Sequence, residues 1–261
     1  MSRTPRAIVI RTAGTNCDSE MVRGFSLAGA KTDLVHLDRL IAQPSILAEY
    51  DLVGFAGGFS YGDDCGAGRV KAVKIRERLI ADLHAARDRG VPMIGACNGF
   101  QVLVQTGLLP GGEIQTAALA SNARGRFIDE WVRVRYEPTS VCLWTAGFAE
   151  QRDENALMLP IAHGEGRFVV SSDRITHELE QQGQIVLRYQ SDVNGSAGNI
   201  AGICDPTGRV FGLMPHPERF LSWQNHPYWT RLDPAERAGD TPGLRMFLNA
   251  VESVRHAPAS A

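Results

Sequence analysis

The segment that most constrains the fold lies between residues 91 and 101 (VPMIGACNGFQ). A short apolar run ends in a GACNG turn, and a helical pattern begins directly after it. Small residues on both sides of Cys97 allow a strained backbone, as in the G-x-S-x-G turn that holds a nucleophile between a strand and a helix. The pattern therefore predicts a thiol at the N-terminus of a helix, where the helix dipole and free N–H groups favour the thiolate.

On its own, this segment also allows a second interpretation, in which Cys97 is a buried cysteine that packs as a small hydrophobe. Residues 209–219 (RVFGLMPHPER) favour the nucleophile, because another apolar run ends in His216 and Glu218 follows two positions later. In extended chain, such residues point to the same side. Flanking prolines restrict the backbone of His216. A thiol, an imidazole and a carboxylate are the parts of an acyl-transfer site, whereas the alternative for this segment is a surface turn with a solvated acid.

Residues 52–64 (LVGFAGGFSYGDD) supply a third element. They predict a buried strand that runs into two consecutive glycines and then a loop. Backbone N–H groups at such glycines can approach a ligand closely, as an oxyanion hole requires. We expect the N–H groups of Gly58 and Asn98 to share this role, although an ordinary strand-to-helix turn would have the same residues.

The order of the predicted elements indicates an α/β fold. Strands are predicted at 7–10, 31–37, 52–55 and 93–96, and helices at 19–28 and 71–89. This alternation predicts a mainly parallel sheet flanked by helices, with ligands at the carboxyl ends of the strands. Short, closely spaced strands at 131–136, 167–170, 185–189, 200–203 and 210–214 predict a small antiparallel extension.

Composition narrows the class of protein. The 261 residues are 44% hydrophobic and carry a formal net charge of −2, which disfavours a general nucleic-acid or membrane-surface binder. The five cysteines include no CxxC pair, so neither a structural zinc site nor a full disulfide set is indicated. Without an apolar leader or about 18 consecutive apolar residues, the chain is expected to be cytoplasmic, with no membrane partner. We expect a single domain over residues 1–261.

Six segments together resemble the class I glutamine amidotransferases. More narrowly, they resemble the glutaminase subunits of phosphoribosylformylglycinamidine synthase, which act in purine biosynthesis. The resemblance covers a core from about residue 7 to about residue 220, followed by a C-terminal extension over 221–261, and it implies a flavodoxin-like core. The segments are 57–63 (GGFSYGD), 95–101 (GACNGFQ), 161–167 (IAHGEGR), 194–196 (NGS), 199–202 (NIAG) and 214–219 (MPHPER).

The resemblance implies a role for each catalytic position. Cys97 would attack the side-chain amide of L-glutamine and form a γ-glutamyl thioester, which water hydrolyses to glutamate. His216 would carry the proton to the departing ammonia, and Glu218 would orient the imidazole. Gly58 and Asn98 would provide the oxyanion N–H groups.

The resemblance also implies substrate contacts and partners. Gln101 would lie against bound glutamine, and His163 and Glu165 would line the site or its contact with a partner. The ammonia would pass to a synthetase subunit that uses ATP and Mg²⁺ to amidate formylglycinamide ribonucleotide, and a small third subunit would bridge the two. This chain itself would need no cofactor and no metal.

Two other functions share these residues. A peptidase of the same superfamily would use Cys97 and His216 on peptide bonds, but the CNGFQ string and the His216–Glu218 pair favour glutamine. A regulatory module that has kept the fold and lost turnover would not need the intact Cys97, His216 and Glu218 set.

Overall fold

A computed structural model describes residues 3–112, 114–148 and 156–255. The strands are β1 (Arg6–Arg11), β2 (Lys31–His36), β3 (Leu52–Phe55), β4 (Met93–Ala96), β5 (Ala117–Ala120), β6 (Ile128–Tyr136), β7 (Met158–His163), β8 (Arg167–Val170), β9 (Ile185–Tyr189), β10 (Ile200–Cys204) and β11 (Val210–Leu213). The helices are α1 (Asp18–Leu27), α2 (Leu37–Ala42), α3 (Arg69–Arg78), α4 (Ile80–Asp88), α5 (Asn98–Gln105), α6 (Asp173–Gln181) and α7 (Pro242–Arg255).

The large sheet has nine strands in the order β2-β1-β3-β4-β11-β10-β9-β6-β7. The first five strands in this order, β2, β1, β3, β4 and β11, run parallel to one another, and we call them the parallel half. β3 and β4 are buried along their whole length, as expected when helices cover both faces of a parallel sheet. The predicted α/β class is thus confirmed.

The remaining strands of the large sheet, β10, β9, β6 and β7, pair antiparallel, and we call them the antiparallel half. β5 and β8 form a separate antiparallel pair. The predicted antiparallel extension is confirmed, but β5 and β7 were not anticipated from the sequence. Pro160 lies inside β7, and proline argues against a central strand; β7 tolerates it because it is the edge strand of the sheet.

The single helix predicted over 71–89 is wrong, because the chain forms α3 and α4 with a break at Leu79. The backbone of Leu79 has φ −142° and ψ −9°, and its side chain is buried. Neither proline nor glycine marks this position, so residue types alone gave no signal of the break.

The C-terminal helix α7 covers the same face of the sheet as α1. The rings of Phe247 and Phe25 meet edge to face with centroids 5.0 Å apart, and a side chain at Gly24 would lie 2.8 Å from the Phe247 ring. In the part of the chain that the structure describes, no helix is both long and apolar enough to cross a membrane. The assignment of residues 1–261 to one domain, with a core over 7–220, stays a prediction.

Candidate active site

Cys97 occupies the turn between β4 and α5 in a strained conformation, with φ 50° and ψ −110°. A cysteine at positive φ is uncommon and persists only where the surroundings hold it. The Cys97 N–H donates to the carbonyl of Leu213 on β11 at 2.8 Å, and the Sγ lies 3.5 Å from the carbonyl oxygen of Ala162 on β7. The thiol therefore faces the antiparallel half from a position fixed by the parallel half.

The two glycines around Cys97 are explained by close packing. A Cβ on Gly95 would lie 2.6 Å from the carbonyl carbon of Gly99, and a Cβ on Gly99 would overlap the carbonyl oxygen of Phe55. Helix α5 can thus begin directly against β3 and β4 only if both positions lack a side chain. This is the physical basis of the GACNG pattern.

His216 and Glu218 follow β11, the strand next to β4. The imidazole Nδ1 of His216 lies 2.7 Å from Oε1 of Glu218, and both residues are 1% exposed. The N–H of His216 donates to the carbonyl of Pro160 at 2.8 Å, so β7 also fixes its backbone. Burial disfavours the charged imidazole, but the carboxylate of Glu218 and the nearby thiols outweigh it and hold the pKa of His216 well above its usual value.

The imidazole and the thiol approach each other beside the loop after β3. A Cβ on Gly57 would lie 2.9 Å from Cε1 of His216 and 3.3 Å from Cβ of Cys97, so both side chains border the same point. Because Gly57, Cys97 and His216 follow three adjacent parallel strands, the sheet brings them to one carboxyl edge.

Gly58 and Asn98, the predicted oxyanion donors, lie on the loop after β3 and at the start of α5. Gly58 has φ +127° and pairs with Thr15 in an isolated antiparallel bridge. The hydrogen bonds of this bridge are made by the neighbouring residues, from the Asn16 N–H to the Gly57 carbonyl and from the Phe59 N–H to the Gly14 carbonyl. The bridge therefore does not use the Gly58 N–H. Asn98 is the first residue of α5, and the first N–H groups of a helix have no acceptor within it. Asn98 directly follows Cys97, and Gly58 directly follows Gly57, which lies against Cys97. Their role as oxyanion donors stays a prediction.

The side chain of Asn98 joins the FSYGD and CNGFQ segments. Its Oδ1 accepts from the hydroxyl of Ser60 at 2.6 Å, and its Nδ2 donates to Asp63 Oδ1 at 3.0 Å and to Gln101 Oε1 at 3.1 Å. Asp63 also accepts from the N–H of Gly68. The loop after β3 is thus tied to the first turn of α5.

Gln101 extends this network to the HGEG segment. Its Nε2 donates to the carbonyl of Glu165 at 2.6 Å, while a carboxylate oxygen of Glu165 accepts from the N–H of Ala67 at 3.2 Å. Three of the six segments that carry the resemblance therefore meet in one hydrogen-bonded unit. Their joint occurrence in the sequence has a structural reason.

His163 ends β7 and is almost fully buried. Its Nδ1 lies 3.1 Å from Oδ1 of Asn122, and its Nε2 has no hydrogen-bond partner within the described residues. Burial, with a smaller effect from His216, lowers the pKa of His163 to about 4, so this imidazole is neutral at pH 7. A Cβ on Gly166 would collide with the His163 ring, which explains the glycine in HGEG.

Two side chains at the site were not anticipated from the sequence. The hydroxyl of Tyr189 on β9 is buried without a partner among the described residues, and its pKa is raised by burial and by the charge of nearby Cys97. Cys17 lies beside His216 and accepts a hydrogen bond from Arg219 at 3.0 Å. A single tyrosine in an alternating strand gives no functional signal, and only the three-dimensional arrangement shows either contact.

A family model and several known proteins match this chain over most of its length. Residues 4–254 match the family described as the CobB/CobQ-like glutamine amidotransferase domain. The chain is 41% identical to phosphoribosylformylglycinamidine synthase subunit PurQ of Dehalococcoides mccartyi, over 96% of this chain and 98% of that protein. It is also 41% identical to the PurQ subunit of Methanococcus maripaludis, over 95% and 97% of the two chains.

Solved structures show the same relationship. The chain is similar to a chain in the structure of PurLQS from Thermotoga maritima, with a TM-score of 0.73 and 34% identity over 96% of this chain and 99% of that one. A glutamine amidotransferase from Thermotoga maritima, at 17% identity and a TM-score of 0.53, covers 98% of this chain and 100% of its own, and it shares the fold.

Proposed function

The chain belongs to the glutamine amidotransferase family, among the PurQ subunits of phosphoribosylformylglycinamidine synthase, and from this premise we propose how its site works. As a member of that group, it hydrolyses L-glutamine and delivers the ammonia to a synthetase subunit in purine biosynthesis. The observation that carries the mechanism is Cys97, strained at the end of β4, beside the buried His216–Glu218 pair.

In the first half of the reaction, His216 holds the proton of the Cys97 thiol, and the resulting thiolate attacks the side-chain carbonyl carbon of glutamine. The oxygen gains negative charge and is stabilised by the N–H groups of Gly58 and Asn98, which are fixed before the reaction begins. When the C–N bond breaks, the protonated imidazole of His216 gives its proton to the leaving nitrogen, and ammonia departs. A γ-glutamyl thioester remains on Cys97.

In the second half, water attacks the thioester carbon and His216 accepts a proton from it. Collapse of the tetrahedral intermediate releases glutamate and returns Cys97 to its starting state. Glu218 keeps the imidazole oriented and stabilises its charged form throughout, as the acid of a catalytic triad does. The raised pKa of His216 suits this role, because the imidazole must be protonated when ammonia leaves.

The pocket for the rest of the glutamine molecule is proposed to lie between α5 and β7. Gln101 on α5 donates to the carbonyl of Glu165, two residues after His163, and the neutral His163 has a ring nitrogen without a partner among the described residues. This arrangement supports a binding role for the three residues.

The partner is proposed to be a synthetase subunit together with a small bridging subunit. The similar chain from Thermotoga maritima supports this proposal, because its structure is described as PurLQS, a name that joins three subunits. ATP and Mg²⁺ would act on the synthetase, where formylglycinamide ribonucleotide is amidated, and this chain would work in the cytoplasm without a cofactor of its own.

The test is glutamate release from L-glutamine by the purified chain, alone and with the synthetase from the same organism. Cys97→Ala should reduce release by about 10⁴-fold or more, because the covalent route is lost. The same variant complex should still form product when ammonia is supplied directly. Undiminished glutamate release by Cys97→Ala, or none by the wild-type complex, would contradict the proposal.

A further inference from the structure

Cys17, His216 and Glu218 bring a thiol, an imidazole and a carboxylate to one buried place. One ligand atom from each of the three residues lies within 4.8 Å of the other two. His216 and Glu218 belong to the catalytic site, but the proposed reaction gives no role to Cys17. The position of this second thiol therefore needs a separate explanation.

The cluster has unused binding capacity. Nε2 of His216 and Oε2 of Glu218 are buried without a hydrogen-bond partner in the described part of the chain. Buried polar atoms normally have a partner, so these two atoms leave the cluster with unfilled hydrogen-bonding or ligand positions. Cys17 is held there by its N–H, which donates to the carbonyl of Gly57 at 3.3 Å.

We propose that Cys17, His216 and Glu218 form an inhibitory binding site for Zn²⁺. Zinc accepts thiolate, imidazole and carboxylate ligands at about 2.0–2.3 Å, so ligands of one ion lie on the order of 3–4 Å apart. Binding would require side-chain rotations that bring the three atoms from their present spacing, within 4.8 Å, to that arrangement. On binding, the Cys17 thiol and any protonated His216 release their protons to solvent.

Arg219 is the group that has to move. Its guanidinium donates to Sγ of Cys17 at 3.0 Å and would repel a cation. Its Nε also lies 4.0 Å from a carboxylate oxygen of Glu20 on α1, and its side chain is 34% exposed. The guanidinium can therefore turn toward Glu20 and solvent when the metal arrives.

Bound zinc would stop catalysis because it occupies the imidazole that must carry the proton. This inhibition rests on the proposed function, whereas metal binding itself does not. Mg²⁺ would not act in the same way, because this hard cation prefers oxygen ligands in octahedral geometry. The site would thus distinguish zinc from the magnesium that the complex uses.

Binding is tested by competition between the metal-free chain and a coloured zinc chelator. The wild-type chain should bind one Zn²⁺, and Cys17→Ala should weaken binding at least about tenfold, since even the loss of a group that only orients a ligand costs about 10- to 100-fold. Cys97→Ala tests whether the catalytic thiol is the ligand instead. Cys65→Ser is the matched control because Cys65 is an exposed thiol.

Both control variants should keep wild-type zinc affinity within about threefold. Wild-type affinity in Cys17→Ala, or loss of binding in Cys97→Ala or Cys65→Ser, would overturn the site. Cys17→Ser serves as a second variant of similar size, and a melting curve for each variant shows that it is folded.

Inhibition is tested by glutamate release with the synthetase present, with each variant compared to its own metal-free rate. Micromolar Zn²⁺ should inhibit the wild type, Cys17→Ser should need at least about tenfold more zinc, and Mg²⁺ should have no effect. If the wild type releases no glutamate but still binds zinc through Cys17, the proposed function fails and the metal site stands. If glutamate release is normal and zinc does not bind, only the metal site fails.

Discussion

The parallel and antiparallel halves of the large sheet contribute to the site in different ways. The parallel half contributes the reacting side chains of Cys97, His216 and Glu218. It also contributes the backbone that fixes them, with glycines whose neighbours leave no space for a Cβ. The antiparallel half contributes side chains, such as His163 and Tyr189, whose buried polar atoms have no partner among the described residues. The parallel half fixes the reacting atoms, and the antiparallel half is arranged to bind a ligand.

The largest expected effect concerns Glu218, the carboxylate that orients His216 in the parallel half. Glu218→Gln should lower kcat by about 10⁴-fold, since the amide neither stabilises the imidazolium nor holds the same tautomer. The carboxylate raises the pKa of His216, so its removal should lower that pKa. The alkaline limb of the kcat/KM profile should therefore move to lower pH.

A matched control for this charge effect is Glu20→Gln. Glu20 is a partly exposed carboxylate on α1 that lies near Arg219, and solvent screens its charge. Its removal should leave the alkaline limb in place. An equal shift in both variants would mean that the pKa of His216 depends on general charge and not on its contact with Glu218.

The second prediction compares glycines in the two halves. Gly99→Ala should lower the free energy of unfolding by about 3 kcal/mol, because the new Cβ would overlap the carbonyl oxygen of Phe55. Gly164→Ala, next to His163, should change it by no more than about 0.5 kcal/mol, because the Phe127 ring 3.7 Å away is the nearest neighbour to its Cβ. Denaturant titration measures both free energies of unfolding. Equal losses in the two variants would contradict the predicted difference between the two halves.

The third prediction uses the buried imidazole of the antiparallel half. The pKa of His163 falls to about 4 in the folded chain from a usual value near 6.5. The unfolded chain therefore binds a proton on acidification that the folded chain rejects, so stability is full above about pH 6.5 and is lost as the pH falls toward 4. Between pH 7.5 and pH 5, this group should lower the free energy of unfolding by about 2 kcal/mol.

The measurement is the unfolding free energy at both pH values for the wild type and His163→Gln. Other titrating groups contribute equally to the two proteins, so the variant should lose about 2 kcal/mol less than the wild type on going to pH 5. Parallel losses would show that His163 can be protonated in the folded chain.

The smallest effect is expected for Tyr189→Phe. The hydroxyl has no partner to lose in the described part of the chain, so stability should stay within about 0.5 kcal/mol or rise. If the hydroxyl binds glutamine, KM should increase by at most about tenfold while kcat changes less, since one hydrogen bond contributes about 0.5–1.5 kcal/mol. A large loss of stability with an unchanged KM would instead give Tyr189 a purely structural role.

The same difference explains how much could be predicted from the sequence. The turn at Cys97 depends on glycines at fixed spacing, and the parallel sheet follows from the βαβ pattern, so both could be predicted from the sequence. The order of the strands was not predicted. Tyr189 and Asn122 act through side chains on separate segments, and Pro160 argued against β7. Cys17 could not be connected to His216, about 200 positions away in the chain, without the fold.

The most direct test of the account is to locate the acyl group. The complex would be mixed with L-glutamine, quenched in acid within one turnover, digested and analysed by mass spectrometry. We predict a glutamyl adduct on the peptide that contains Cys97 and no adduct on the peptides that contain Cys17 or Cys65. A glutamyl group on another residue, or glutamate formation with no adduct under conditions that preserve thioesters, would contradict the central role of Cys97.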